Sequence, residues 1–365
     1  MTTEIAPYPA HFESDVVLRS GRTLRLRPVR PDDRDHLIRF YTRLSPESLH
    51  LRFFDTRTPE AAAAATPADV DYRTDFGVVG ELGGEIVAVA HYFASRAKPK
   101  KAEVAFAIRD DMQGQGIGTK LLEKLAEVAR TNGIEAFEAD TLIDNRAMLD
   151  VFLRSGFDVV SRSEEGVVGV YFPIAPTPGF VERSAERSQK AAWASMRPIF
   201  EPKSIAVIGA SRRAGSIGNL IVKNLSENGF TGALYPINPN AREIESVPAF
   251  ASLREVPGPV ELAIVSVPAR EVESVIDECI DKDISALVVI TAGFGETGAD
   301  GRAAELRLVE KVRAAGIRMV GPNCMGVINA DPSVKMQGTF APVFPPSGSI
   351  ATSSISPREN ARIGQ

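Results

Sequence analysis

Gln113-Gly114-Gln115-Gly116-Ile117-Gly118 stands between a strand-like run, Ala102–Ile108, and a helix-like run, Thr119–Thr131, in which Leu121, Leu122, Leu125, Val128 and Ala129 share one face. Glycines at Gly114, Gly116 and Gly118 remove the side chains that would hold a phosphate off the backbone. The helix start adds N–H groups without intrahelical partners and the positive end of the helix dipole. The hexapeptide therefore reads as an anion cradle for a diphosphate.

The rest of the chain narrows the class. A length of 365 residues is enough for two domains, each with its own core. A net charge of −5 and a pI near 5.6 argue against a nucleic-acid binder, which would present a basic face. No apolar run approaches a membrane span, and Cys279 and Cys324 cannot build a disulfide framework, so a cytoplasmic protein without a membrane partner is expected. No metal site is expected.

Beyond the cradle, the strand before it carries Glu103, and Asn145 and a Ser155-Gly156-Phe157 turn follow about one crossover later. Together these resemble the GCN5-related N-acetyltransferase (GNAT) family over roughly Arg22 to Phe172. The resemblance implies an N-terminal GNAT fold, a mixed sheet with flanking helices, whose Gln-x-x-Gly-x-Gly loop binds the pyrophosphate of acetyl-CoA. It also implies an acetyl-CoA site built from Phe106, Ile108, Gln113, Gly114, Gln115, Gly116, Gly118, Thr119 and Asn145. Asn145 suits either a contact with the pantetheine arm or a cap on the next helix. Asp110 and Asp111 read as solvated turn residues, since their charge would oppose a phosphate.

A seam follows the apolar run Val167–Ile174: Ala175-Pro-Thr-Pro-Gly179 stops the sheet, and the charged stretch Glu182–Lys190 reads as a solvated helix or linker. Domains are expected at 1–175 and 198–350, with a linker at 176–197 and an irregular tail at 351–365. The second half alternates strands (Ser204–Ile208, Ala233–Ile237, Leu262–Val267, Ala286–Thr291, Arg318–Val320) with helices (Ile217–Asn228, Arg270–Asp281, Gly301–Ala315), which implies a Rossmann-like parallel sheet. Its first turn, Gly209 to Gly218, spaces glycines more widely than a dinucleotide fingerprint. The second strand ends in Pro236-Ile-Asn238-Pro-Asn240 with Arg242 nearby and no carboxylate for a ribose hydroxyl. That end favours a ligand with a ribose phosphate, which leaves CoA and NADP open.

Val265-Ser-Val-Pro268, Thr291-Ala-Gly-Phe-Gly-Glu296 and Gly321-Pro-Asn-Cys-Met-Gly326 decide for CoA. From Pro198 to Ser349 the chain resembles the CoA-binding domain of the nucleoside-diphosphate-forming acyl-CoA synthetases, of which the succinyl-CoA synthetase α subunit is one. The likeness places Gly209, Ser211, Gly218, Asn238, Arg242, Val267, Pro268, Asn323 and Cys324 about a CoA. Cys324 is expected to pack near the pantetheine rather than act as a nucleophile. These synthetases pass a phosphoryl group through a histidine, whereas His11, His36, His50 and His91 all precede the seam. The polar Thr352–Gln365 also departs from the family, so the segment reads as C-terminally truncated and incapable of the ligase reaction.

A GNAT domain ahead of a synthetase-like CoA domain resembles the Pat-type bacterial protein lysine acetyltransferases. That resemblance implies acetyl-CoA as co-substrate, a protein lysine as acceptor (the active-site lysine of an AMP-forming acyl-CoA synthetase, for example), and a regulatory second domain that takes CoA or acyl-CoA. In this group the glutamate of an Ala-Glu-x-Ala-Phe segment is the proposed base, here Glu103. Phe152 occupies the place where many relatives carry a general-acid Tyr, so no general acid is assigned. A small-molecule amine acetyltransferase, a non-catalytic CoA-sensing module and a fragment of an ADP-forming acyl-CoA synthetase stand as alternatives.

Overall fold

The computed structural model describes residues 6–55, 57–66, 68, 70–94 and 97–348. The tail expected at 351–365 lies outside the described residues. By packing, the chain falls into two compact units, 1–198 with 294–319, and 199–293 with 320–365.

The first unit is built on an eight-stranded sheet. Its strands are β1 (Ser14–Val17), β2 (Thr23–Pro28), β3 (Asp75–Leu82), β4 (Glu85–Phe93), β5 (Lys101–Ile108), β6 (Ala136–Leu142), β7 (Val160–Glu164) and β8 (Val167–Pro173). Helices α1 (Arg34–Thr42), α2 (Pro46–Phe53) and α3 (Pro59–Ala64) precede β3; α4 (Ile117–Thr131) joins β5 to β6, and α5 (Arg146–Leu153) follows β6. The sheet order is β1-β2-β3-β4-β5-β6-β8-β7. β3 and β4 are joined through Gly83 and Gly84, both at positive φ (62° and 76°), the conformation a tight hairpin demands.

One pairing sets up the site. β5 runs antiparallel to β4 from Glu103 to Ile108, but it pairs with β6, in parallel, only through Lys101, Ala102 and Glu103. From Val104 onward the two strands part, and the β6-facing backbone of β5 is left without a strand partner. α4 holds its position over this split by burying Ile117, Leu121, Leu122, Leu125, Val128 and the alanines beside them. Each large side chain is worth roughly 1.5–3 kcal/mol of burial, ample to fix the helix start in place. α4 begins two residues earlier than the pattern suggested, because Gly116, at φ 85°, turns the chain into the helix in one step. The stretch read as helix or linker is a helix, α6 (Pro178–Phe200).

In the second unit β9 (Ser204–Ile208) is buried at every residue and apolar from Ile205 onward, as a central parallel strand should be. After α7 (Ile217–Glu227) and β10 (Ala233–Ile237) come a small hairpin, β11 (Glu243–Ile244) and β12 (Val247–Pro248), then β13 (Leu262–Val265), α8 (Ala269–Asp281) and β14 (Ala286–Val289). The segment counted with the first unit, which holds α9 (Ala299–Ala314), leads to β15 (Arg318–Val320), and β16 (Gly326–Asn329) pairs antiparallel with β17 (Met336–Thr339). The sheet order β10-β9-β13-β14-β15 places the change of winding direction between β9 and β13. Ligands of such sheets bind at the carboxyl ends of the strands at that point. β13 stops two residues short of the expected Val267, where the chain bends toward Pro268 and α8.

Candidate active site and CoA sites

The split between β5 and β6 opens into a cavity of about 870 Å³. Glu103, Phe106, Ile108, Gln113, Gly114, Gly116, Gly118, Thr119 and Asn145 all line it. Gln115, also expected at the ligand, is not among the lining residues; its carbonyl accepts from the Arg19 N–H (3.1 Å).

At one end lies the cradle. The first intrahelical bond of α4 runs from the Lys120 N–H to the Gly116 carbonyl (3.2 Å), so the N–H groups of Ile117, Gly118 and Thr119 have no helical acceptor. All three residues line the cavity, where they present the positive end of a 15-residue helix. Gly118 is closely packed: a Cβ there would lie 3.0 Å from a Val151 methyl and 3.4 Å from Ile108 Cδ1. Gln113 donates from Nε2 to the Ile108 carbonyl and to Ser48 Oγ (both 3.2 Å), which ties the loop to β5 and α2. Asp110 is exposed, as expected, and is also a tether. Its carboxylate accepts from the Ser45 N–H (2.9 Å), Ser45 Oγ (2.8 Å) and Ser48 Oγ (2.6 Å), clamping the start of α2 to the cradle. Burial alone would raise its pKa, but these bonds prevail and hold it below the usual carboxylate range.

The middle of the cavity is a backbone surface. The Arg109 N–H donates to the Val87 carbonyl on β4, so by strand alternation the N–H groups of Phe106 and Ile108 point the other way, into the split. Asn145 caps α5, its Oδ1 accepting from the Met148 N–H (3.1 Å). Phe152 is buried with its ring edge-on to Phe106, so no hydroxyl stands at that position. Thr141 Oγ1, from β6, is buried in this wall without a hydrogen-bond partner among the described residues.

At the far end Glu103 is exposed, and among the described residues its carboxylate makes no hydrogen bond or ion pair. Its cross-strand neighbour Glu138 is instead held by Lys98 (3.2 Å) and Lys101 (3.1 Å). His91 lies opposite Ala105 in the β4–β5 register and so shares a face with Glu103. Arg52 on α2 donates to His91 Nε2 (3.3 Å), which fixes that nitrogen as an acceptor and puts the ring proton on Nδ1. Burial, reinforced by Arg52, pushes the His91 pKa down to about 3. With its lone pair occupied and its basicity lost, His91 is no proton acceptor, and Glu103 is the open carboxylate on this face. Arg52, His91 and Thr141 had no signal in linear spacing; only the strand register and the placement of α2 bring them to the cavity.

In the second unit the expected residues gather at the carboxyl ends of the strands. The Ser266 N–H donates to the Ile208 carbonyl (2.9 Å), Thr291 Oγ1 to the Val267 carbonyl (2.7 Å), and the Asn323 N–H to the Thr291 carbonyl (3.0 Å). The Gly209–Gly218 turn is tightly packed: a Cβ on Gly218 would fall 2.1 Å from the Gly209 carbonyl oxygen, and one on Gly209 2.7 Å from that of Ser266. Ser211 Oγ accepts from the Arg213 N–H (3.0 Å), and Asn238 Nδ2 donates to the Ala210 carbonyl (2.6 Å), so both shape the turn. Arg242 is exposed, and Pro268 opens α8. The Cys324 thiol donates to the Val289 carbonyl (3.3 Å).

Comparison with known proteins finds two matching families along the chain. Residues 29–157 match the acetyltransferase (GNAT) family, and residues 203–330 match a CoA binding domain. The chain therefore joins a GNAT acetyltransferase domain to a CoA-binding domain of the acyl-CoA synthetase kind. It is 35% identical to the acetyltransferase Pat of Mycolicibacterium smegmatis, over 44% of this chain and 49% of that one. It is 45% identical to the ADP-forming acetate–CoA ligase I of Archaeoglobus fulgidus, over 43% of this chain and 22% of the ligase. The crystal structure of the GNAT domain of S. lividans PAT is 38% identical, with 46% of this chain and 99% of that one covered at a TM-score of 0.42. The chain spans about a fifth of the ligase and half of the acetyltransferase. Among the described residues no helix is long and apolar enough to cross a membrane, and no cluster of metal-ligating side chains occurs.

Proposed function

We propose that the first unit transfers the acetyl group of acetyl-CoA to a lysine ε-amine of a protein acceptor, with Glu103 as general base, and that the second unit binds CoA or an acyl-CoA as a regulatory module. The observation that carries this reading is the layout of one cavity: an anion cradle at one end, unpaired N–H groups in the middle and an open carboxylate at the other end.

A lysine amine has a pKa near 10.4 and arrives protonated. Glu103, directly or through one water, takes that proton, and the freed nitrogen adds to the thioester carbonyl. The N–H groups of Phe106 and Ile108 face the oxyanion as it forms. Collapse breaks the C–S bond, and the second proton leaving the nitrogen reaches the departing CoA thiolate through water; the buried Phe152 has no proton to give. The acceptor follows from the likeness to Pat-type enzymes, which implies the active-site lysine of an AMP-forming acyl-CoA synthetase.

The test is acetyl transfer from acetyl-CoA to a purified AMP-forming acetyl-CoA synthetase, followed by mass spectrometry of its lysines. Stoichiometric acetylation of one lysine with loss of synthetase activity is expected. Transfer to small amines alone would move the reading to a small-molecule acetyltransferase, and acetyl-CoA binding without transfer would leave a sensing module.

A further inference from the structure

Arg52 is a cation in the cavity wall that no carboxylate among the described residues neutralises. It is half-buried on α2, its guanidinium 4.6 Å from the centre of the Phe53 ring, and its hydrogen bond goes to the neutral His91. Burial holds it below the ordinary arginine range, the mark of a charge taken partly out of water without full compensation. The other arginines lining the cavity are engaged: Arg57 with Asp55 (2.8 Å), Arg154 with Asp150 (3.3 Å), Arg187 with Glu123 (2.6 Å), and Arg19 with the Gly114 carbonyl (3.4 Å). Glu103 lies within electrostatic reach of Arg52, yet no hydrogen bond or ion pair joins them. One face of the cavity therefore offers an open carboxylate and an open guanidinium to the same ligand.

We propose that the acceptor carries a carboxylate close to its reacting amine, the amine meeting Glu103 and the carboxylate meeting Arg52. This rests on the acetyl-transfer reading and adds the substrate class to it. A guanidinium presents a planar fork that matches a carboxylate in two parallel hydrogen bonds, and a partly desolvated cation gains most from such a partner. The group is an acidic side chain beside the acceptor lysine or the α-carboxylate of a free amino acid; the chemistry at Arg52 is the same.

The experiment compares kcat/KM at saturating acetyl-CoA for matched acceptors. One pair is a lysine peptide with Glu or Gln beside the lysine; the other is a free amino acid and its amide. Wild type is expected to favour the carboxylate form of one pair by about tenfold or more, the value of a charge-assisted hydrogen bond, and the favoured pair names the source. In Arg52→Gln the ratio should fall to about one. Arg52→Lys keeps the charge, loses the fork and should give an intermediate ratio; it also serves as the test should Arg52→Gln fail to fold by circular dichroism. Ratios of one for both pairs in wild type, or a preference that survives in the Arg52 variants, overturn the inference and leave acetyl transfer standing. Transfer to none of the acceptors overturns acetyl transfer itself and the inference with it.

Discussion

His91 and Glu103 share a face of the sheet, and their surroundings give them opposite characters. Glu103 stays open to solvent, while His91 is neutral down to about pH 3 with its acceptor nitrogen occupied by Arg52. The consequence for stability has a definite sign. An unfolded chain protonates this histidine below about pH 6.5, and the folded one does not until about 3, so its contribution is present above 6.5 and lost as the pH falls toward 3. Thermal midpoints at pH 7.5 and pH 5 should therefore differ more in wild type than in His91→Gln. Equal differences would contradict the neutral assignment.

At the scale of elements, the strand–cradle–helix unit of β5 and α4 was legible because its glycines and its apolar period each have one structural meaning. The same holds for the β9 turn, where Gly218 packs on the Gly209 carbonyl. The far wall of the cavity was not legible. Arg52 is about fifty residues from Glu103 in sequence, and nothing near the exposed Asp110 signalled that Ser45 and Ser48 of the α2 start would meet it. Such contacts depend on how a short helix lands on a sheet, which no local period encodes. A prediction at this scale concerns Gly116, at φ 85°. Alanine there costs about 1–2 kcal/mol of backbone strain, so Gly116→Ala should weaken acetyl-CoA binding about tenfold by calorimetry. An unchanged affinity would show that the cradle does not need this geometry.

Over the whole molecule, two CoA-type motifs occur in one chain, each at a glycine-rich turn between a strand and a helix. They differ in construction: the first cavity lies in a split between β5 and β6, and the second group of residues lies at the winding change between β9 and β13. If both bind, calorimetric titration with CoA gives two equivalents per chain. Gly218→Val, whose side chain would collide with the Gly209 carbonyl, should reduce this to one. A single equivalent in wild type, abolished by Gly116 rather than Gly218 substitution, would remove CoA from the second unit.

The central claim is that one open carboxylate at the end of β5 deprotonates the acceptor amine. Its most direct measurement is the initial rate of acetyl transfer to a purified AMP-forming acetyl-CoA synthetase by wild type and Glu103→Gln, with acetyl-CoA affinity measured in parallel. Loss of about a hundredfold or more in kcat/KM, with acetyl-CoA still bound, is predicted. Equal rates in the two proteins would contradict the claim and remove Glu103 from the chemistry.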